Sequence, residues 1–224
     1  MLLDRRHSWS LTPQEAIALQ QQLRRDIVVD RPLDLAAIRL VAGVDVSIKE
    51  KHAQAAVVVL TFPKLDIVET ALARAPVTFP YVPGLLTFRE GPVLEEAFAK
   101  LAHVPDVFIF DGIGYAHPRR IGLACHMGLL LGRPSVGCGK TRLCGEHAPV
   151  PVRRGATKPL IDKGETIGVA LRSQNGVAPL FISPGHLADI ETSAKLILRC
   201  APRYRLPEPI RAAHRAAGSF EAAG

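Results

Sequence analysis

Three carboxylates stand where carboxylates are costly. Asp45 interrupts an alternating apolar run, Glu90 precedes what reads as a helix opened by Pro92, and Asp111 ends the apolar stretch Phe108-Ile-Phe110 just before Gly112-Ile-Gly114. An ionised acid withdrawn from water needs a cation or several donors to offset its lost hydration. If the strands carrying Asp45 and Asp111 are neighbours, the two acids converge, and clustered like charges favour a divalent cation. An oxygen-rich site with room for water and phosphate suits Mg²⁺. The bland alternative is three unrelated surface or capping acids.

Other side chains could join such chemistry. Lys140 closes Gly137-Cys-Gly139 at a strand end and reads either as a solvated loop lysine or as a cation for a phosphate oxygen or a water nucleophile. The spacing G-x-x-x-x-G-K-[ST] is not met around it, which disfavours nucleotide hydrolysis of the P-loop kind. His117, His126, His186 and His214 are candidate ligands or bases. Of these, His126 reads as a satisfied, partly buried mid-helix residue, His186 as a cap of the last helix, and His214, between Arg211 and Arg215, as a group near phosphate. Arg119 and Arg120 read as the start of a helix, where phosphate contact and a solvated face are equal alternatives. Tyr81, between Pro80 and Pro83, is either a cover for the sheet edge or a stiff wedge that stacks where a base has left a duplex.

These residues sit in a chain of 224 with 48% hydrophobic residues, ample for the core of a single domain. Lys and Arg outnumber Asp and Glu by 28 to 21, so a polyanion such as nucleic acid is a natural partner. Cys125, Cys138, Cys144 and Cys200 form no C-x-x-C pair, which suggests neither a zinc knuckle nor a disulfide framework, only buried thiols of a cytoplasmic protein. Residues 1–7 lack an export-signal core, and no apolar run approaches the ~18 residues of a membrane span. A monomer away from membranes is expected.

The elements that must position the candidates follow from periodicity and caps. Thr12-Pro-Gln-Glu15 has the form of a capping box and predicts a helix to about Val28. Strands are predicted over 38–48, 55–62 and 67–75 as an antiparallel meander. A helix opened by Pro92 follows, then a strand over 107–111, a helix over 118–131 closed by Gly132, and a short strand over 135–139. The segment 142–163 reads as a loop, 167–171 and 179–182 as a hairpin, 188–198 as the final helix, and the remainder as a basic tail. A meander followed by alternating strands and helices is the pattern of a mixed α/β sheet flanked by helices.

Val41-Ala-Gly-Val-Asp45-Val-Ser47, Pro80-Tyr-Val-Pro-Gly-Leu-Leu-Thr-Phe-Arg-Glu90, Asp111-Gly-Ile-Gly-Tyr-Ala-His-Pro-Arg-Arg120, Pro134-Ser-Val-Gly-Cys-Gly-Lys140 and Phe181-Ile-Ser-Pro-Gly-His186 together resemble the endonuclease V family, in order from about residue 10 to 216. The resemblance implies a ribonuclease-H-like fold and a Mg²⁺-dependent nuclease, with Mn²⁺ as a substitute. It also implies recognition of deoxyinosine in DNA and nicking of the second phosphodiester bond on its 3′ side, in DNA repair. By position, Asp45, Glu90 and Asp111 match the catalytic, metal-holding carboxylates, Lys140 the active-site lysine, and His214 the histidine near the attacking water. Tyr81 and Pro83 match the wedge. Gly84, Leu86, Gly112, Leu123 and Gly137 match the hypoxanthine pocket, and His117 joins them on the substrate side. Inosine carries an O6 acceptor and an N1 donor where adenosine does not, and backbone groups can read both. Inosine-containing RNA is a second possible substrate, and a non-catalytic nucleic-acid-binding module with the same basic surface is the reading from a different class.

Overall fold

The computed structural model describes residues 3, 4 and 6–219; residues 1, 2, 5 and 220–224, part of the N-terminal reading among them, lie outside the described residues. Thr12 caps α1 (Pro13–Leu23) with the expected capping box, and a 3₁₀ turn over Arg24–Asp26 ends it short of Val28. The meander is present as β1 (Leu40–Lys49), β2 (His52–Thr61) and β3 (Ile67–Pro76). It continues through α2 (Leu86–Ala99), β4 (Val107–Phe110), α3 (Leu123–Leu131) and β5 (Ser135–Gly139). Then come β6 (Thr157–Asp162), β7 (Glu165–Leu171), β8 (Leu180–Pro184), α4 (Ile190–Cys200) and α5 (Glu208–Gly218). The strands form one mixed sheet in the order β3-β2-β1-β4-β5-β8-β7-β6, with β1, β4 and β5 parallel.

Strand alternation sorts the core into two layers. Val41, Val107 and Ile109 face α4 and α5, packing with Leu196, Ile197, Ile210 and Ala213. Ala42, Val44, Phe108 and Phe110 face α2 and α3, packing with Val93, Leu94, Phe98 and Met127. Because both faces are covered, β4 and β5 are buried throughout, and β4 reads as a continuous apolar run.

Four elements depart most from those the sequence predicts. The helix expected to open at Pro92 begins at Leu86, so Glu90 lies inside α2 and Pro92 in its interior. Packing of Leu85 and Phe88 against Ala16 and Phe79 outweighs the backbone hydrogen bond that Pro92 removes. The helix expected from Pro118 begins at Leu123, because Arg120 adopts a left-handed φ of 60°. Its buried guanidinium is held by Glu165 at 2.6 Å and Asp162 at 2.8 Å, so the two arginines sit in a turn and not at a helix start. The presumed loop 142–163 contains β6, an edge strand where Pro159 is tolerated. The presumed basic tail contains α5, whose Ile210, Ala213 and Ala217 form its inner stripe.

Two histidines also have partners other than those expected. Asp189, not His186, caps α4, and His186 Nδ1 accepts from the Val28 amide at 3.3 Å. His126 is fully buried, stacked among Trp9, Phe88 and His7. His7 Nδ1–H donates to the Ser8 carbonyl at 2.9 Å, which leaves its Nε2 to accept from His126 Nε2–H at 2.7 Å. Among the described residues His126 Nδ1 faces no hydrogen-bond partner, so a second proton there finds no acceptor among them. Burial accordingly holds His126 down at about 3. The unfolded chain, with histidine near 6.5, binds one proton more than the folded chain between these values, so this contribution is complete above pH 6.5 and is lost as pH falls. The expected slope is about 1.4 kcal/mol of stability per pH unit for one such proton. It is checked by thermal melts between pH 7 and 4, in which His126→Met flattens the acid limb.

Candidate active site

The register of β1 against β4 makes the site. Val44 pairs with Phe110, and the Asp111 amide donates to the Val44 carbonyl at 2.9 Å, so Asp111 leaves β4 directly beside Asp45. Both acids continue the Val41, Val107 and Ile109 face, the one that α5 covers. Gly43 lies one step back on that face, and an added Cβ would be 1.9 Å from the Pro209 carbonyl oxygen at the start of α5. Only glycine lets α5 lie this close, and the helix then carries His214 over Asp45. His214 Nδ1 sits 2.7 Å from Asp45 Oδ2, with the rest of its ring exposed.

Asp45, Asp111 and His214 each offer a ligand atom within 4.8 Å of the other two. Lys140, at the end of β5, places Nζ 2.5 Å from Asp111 Oδ2, and Arg205 holds the Lys140 carbonyl at 2.9 Å. Burial, then the charge of Asp111, raises the proton affinity of Asp45, against the hydrogen bond from His214 and the charge of Lys140. Glu90, buried on α2, is pushed up to about 8 by burial and by the charges of Asp45 and Asp111. The two aspartates thus meet at ligand distance, and Glu90 lies within their field. Two carboxylates facing one gap suit a hard divalent cation, with His214, hydrogen-bonded to Asp45, at its rim.

A model of the endonuclease V family matches residues 21–215. The endonuclease V of Nostoc punctiforme is 45% identical over 217 residues, which are 96% of this chain and 98% of its own. The chain belongs to the endonuclease V family. Membership makes it a nuclease that hydrolyses phosphodiester bonds, and the sheet is the ribonuclease-H-like fold that the resemblance implies. The crystal structure of endonuclease V from Streptomyces avermitilis superposes with a TM-score of 0.90 at 40% identity, covering 94% of this chain and 93% of that one. The Ciona intestinalis endonuclease V, solved with a DNA 23-mer containing an inosine followed by a ribo-adenosine, superposes at 0.77 with 27% identity, covering 92% and 97%.

A cavity of about 330 Å³ opens next to the acids and shares Asp111 and Lys140 as wall. That volume is at the lower end for small-ligand pockets. Tyr81, Pro83, Gly84, Leu86, Gly112, His117 and Leu123 line it. Gly137 does not line it. It lies beneath, where a Cβ would be 2.3 Å from the Gly114 amide nitrogen, and so seats the pocket loop on β5. His117 adds its ring to the wall, but both nitrogens are engaged inside the protein, with Nδ1 accepting from the Arg119 amide and Nε2–H donating to Gly84. Burial keeps this ring neutral, down at about 4.

Gly43, Arg205 and the cavity residues Ile113 and Thr141 were not among the expected site residues. Gly43 had a signal in the sequence, since a glycine two residues before the acid shares its face.

Proposed function

We propose that this chain recognises deoxyinosine in DNA and hydrolyses the second phosphodiester bond on its 3′ side, leaving 3′-hydroxyl and 5′-phosphate ends, in the repair of deaminated adenine. The observation that carries the reading is the shared wall: Asp111 and Lys140 belong both to the acid cluster and to the base-sized cavity. A base held there sets the neighbouring phosphates against the acids. The inosine-containing DNA bound by the Ciona relative supports inosine as that base.

Asp45 and Asp111 would hold Mg²⁺, or Mn²⁺ in its place, with Glu90 binding directly or through water. When bound, the ion neutralises charge on the scissile phosphate and lowers the pKa of a water. Lys140 swings between Asp111 and the phosphate, offsetting charge that develops in the transition state. His214 keeps its Nδ1 proton on Asp45 and turns Nε2 outward, where it would orient the attacking water or contact a second ion. Gly84, Leu86, Gly112 and Leu123 enclose the hypoxanthine, and Tyr81, 72% exposed, stacks in the gap left in the duplex. Tyr81→Ala is expected to weaken binding to an inosine duplex by about 1–3 kcal/mol, the worth of one stacking contact, as read by fluorescence titration. Unchanged affinity would make Tyr81 an ordinary surface aromatic.

Matched inosine-containing DNA and RNA oligonucleotides, incubated with Mg²⁺ or chelator and mapped at the cut, test the function. The expected result is a metal-dependent nick one nucleotide beyond the inosine in DNA. Binding without metal-dependent cleavage would return the chain to a recognition module. The RNA arm matters because the ligand of the Ciona relative carries a ribose immediately after the inosine; a 2′-hydroxyl accepted there admits RNA as a second substrate.

A further inference from the structure

Gln20 is a buried polar side chain that the catalytic scheme leaves without a role. It sits in the last turn of α1 at 1% exposure, where an amide is costly unless fully bonded. Its orientation is fixed by chemistry: Arg119 Nε, which can only donate, lies 2.6 Å from Gln20 Oε1. The amide nitrogen therefore points the other way, 3.0 Å from the Gly84 carbonyl oxygen and 3.4 Å from that of Ile121. The same Gly84 oxygen accepts from Arg119 Nη2 at 2.8 Å and from His117 Nε2 at 2.9 Å. Donors from α1 and from the turn before α3 thus converge on one carbonyl.

That carbonyl ends the exposed segment carrying Tyr81. Gly84 has φ +80°, and a Cβ there would meet Arg119 Nη2 at 2.8 Å and His117 Nε2 at 3.2 Å, so the convergence requires glycine. The other end of the segment is also fixed, since Phe79 is buried against Phe88 and its carbonyl accepts from Arg89 at 3.1 Å. Between these anchors Tyr81 projects into solvent.

We propose that Gln20 is a positioning residue for DNA recognition. By orienting Arg119 and binding the Gly84 carbonyl, it fixes the Tyr81-Val82-Pro83 turn before substrate arrives. The ordering entropy of the turn is then lost on folding and not on binding. The inference rests on the wedge reading of Tyr81.

Gln20→Glu tests it with little risk to the fold, because the carboxylate keeps an acceptor for Arg119 while replacing the Gly84-facing N–H groups by an oxygen that repels the carbonyl. KM and kcat for nicking an inosine duplex are compared for wild type, Gln20→Glu, Tyr81→Ala and the double variant, with melting temperatures as the control for folding. Gln20→Glu is expected to raise KM about tenfold, the worth of one hydrogen bond in a charged network, with kcat within about twofold. On the Tyr81→Ala background the same change adds less than about twofold, because the group it positions is gone. A purely structural role predicts equal effects on both backgrounds, and that result overturns the proposal. Tyr81→Ala raising KM while Gln20→Glu matches wild type overturns the anchor alone. Wild-type KM for Tyr81→Ala removes the wedge reading and this inference with it.

Discussion

Asp111→Asn is expected to leave the fold intact and to lower metal-dependent nicking of an inosine duplex by about 10³-fold or more. Asparagine keeps the shape of the side chain and, through Oδ1, still accepts from Lys140, so the end of β5 has no reason to move. What it removes is one of the two charges that meet at the β1–β4 junction, leaving Asp45 without its carboxylate neighbour. Lys140 loses the charged partner 2.5 Å away that defines its resting position. The acid cluster also loses the repulsion that raises the proton affinities of Asp45 and Glu90. Single-turnover nicking rates with Mg²⁺ titrated, alongside thermal melts, check the result. A rate near wild type would remove Asp111 from the site.

Gly43→Ala, a change of one methyl group, is expected to cost about 1–3 kcal/mol of stability and to impair nicking as well. The new Cβ would stand 1.9 Å from the Pro209 carbonyl oxygen, against ordinary contacts of 3.4–4 Å, and the obstacle is backbone and cannot rotate away. Either α5 retreats from β1 or the strand bends. Retreat breaks the 2.7 Å contact between His214 and Asp45 and strains the hydrogen bonds by which Gln54 on β2 holds the Ala216 and Ala217 carbonyls at the far end of α5. Urea unfolding gives the stability loss, and kcat in the fully folded range gives the second effect. Wild-type values of both would mean that α5 is not seated on Gly43.

Local order was legible because it is written in short-range chemistry. The capping box at Thr12, the glycine closing α3 at 132 and the period-two pattern of β1 all specify backbone within a few residues. That pattern alone put Asp45 and Gly43 on one face, and the apolar run before Asp111 marked a buried strand ending on an acid. The resemblance to endonuclease V added the roles that no periodicity could supply. Where local signals competed with tertiary ones, the prediction failed in an instructive direction. Pro92 reads as a helix start, yet packing of Phe88 carries α2 back to Leu86. Pro118 reads likewise, yet a buried Arg120 ion-paired with β6 and β7 residues holds that segment out of a helix. The stripe Ile210, Ala213, Ala217 was present at helical spacing but lay among arginines that suggested a solvated tail.

By itself the sequence determined which residues could do chemistry and on which face of which strand they stand. Only the tertiary structure decided that Asp45 and Asp111 meet, that His214 arrives on a helix, and that Gln20, His117 and Arg119 close on Gly84. The physical reason is range. Periodicity and capping act over one or two turns, whereas strand register and the convergence of donors 33 to 99 residues apart in sequence are settled by how whole layers pack.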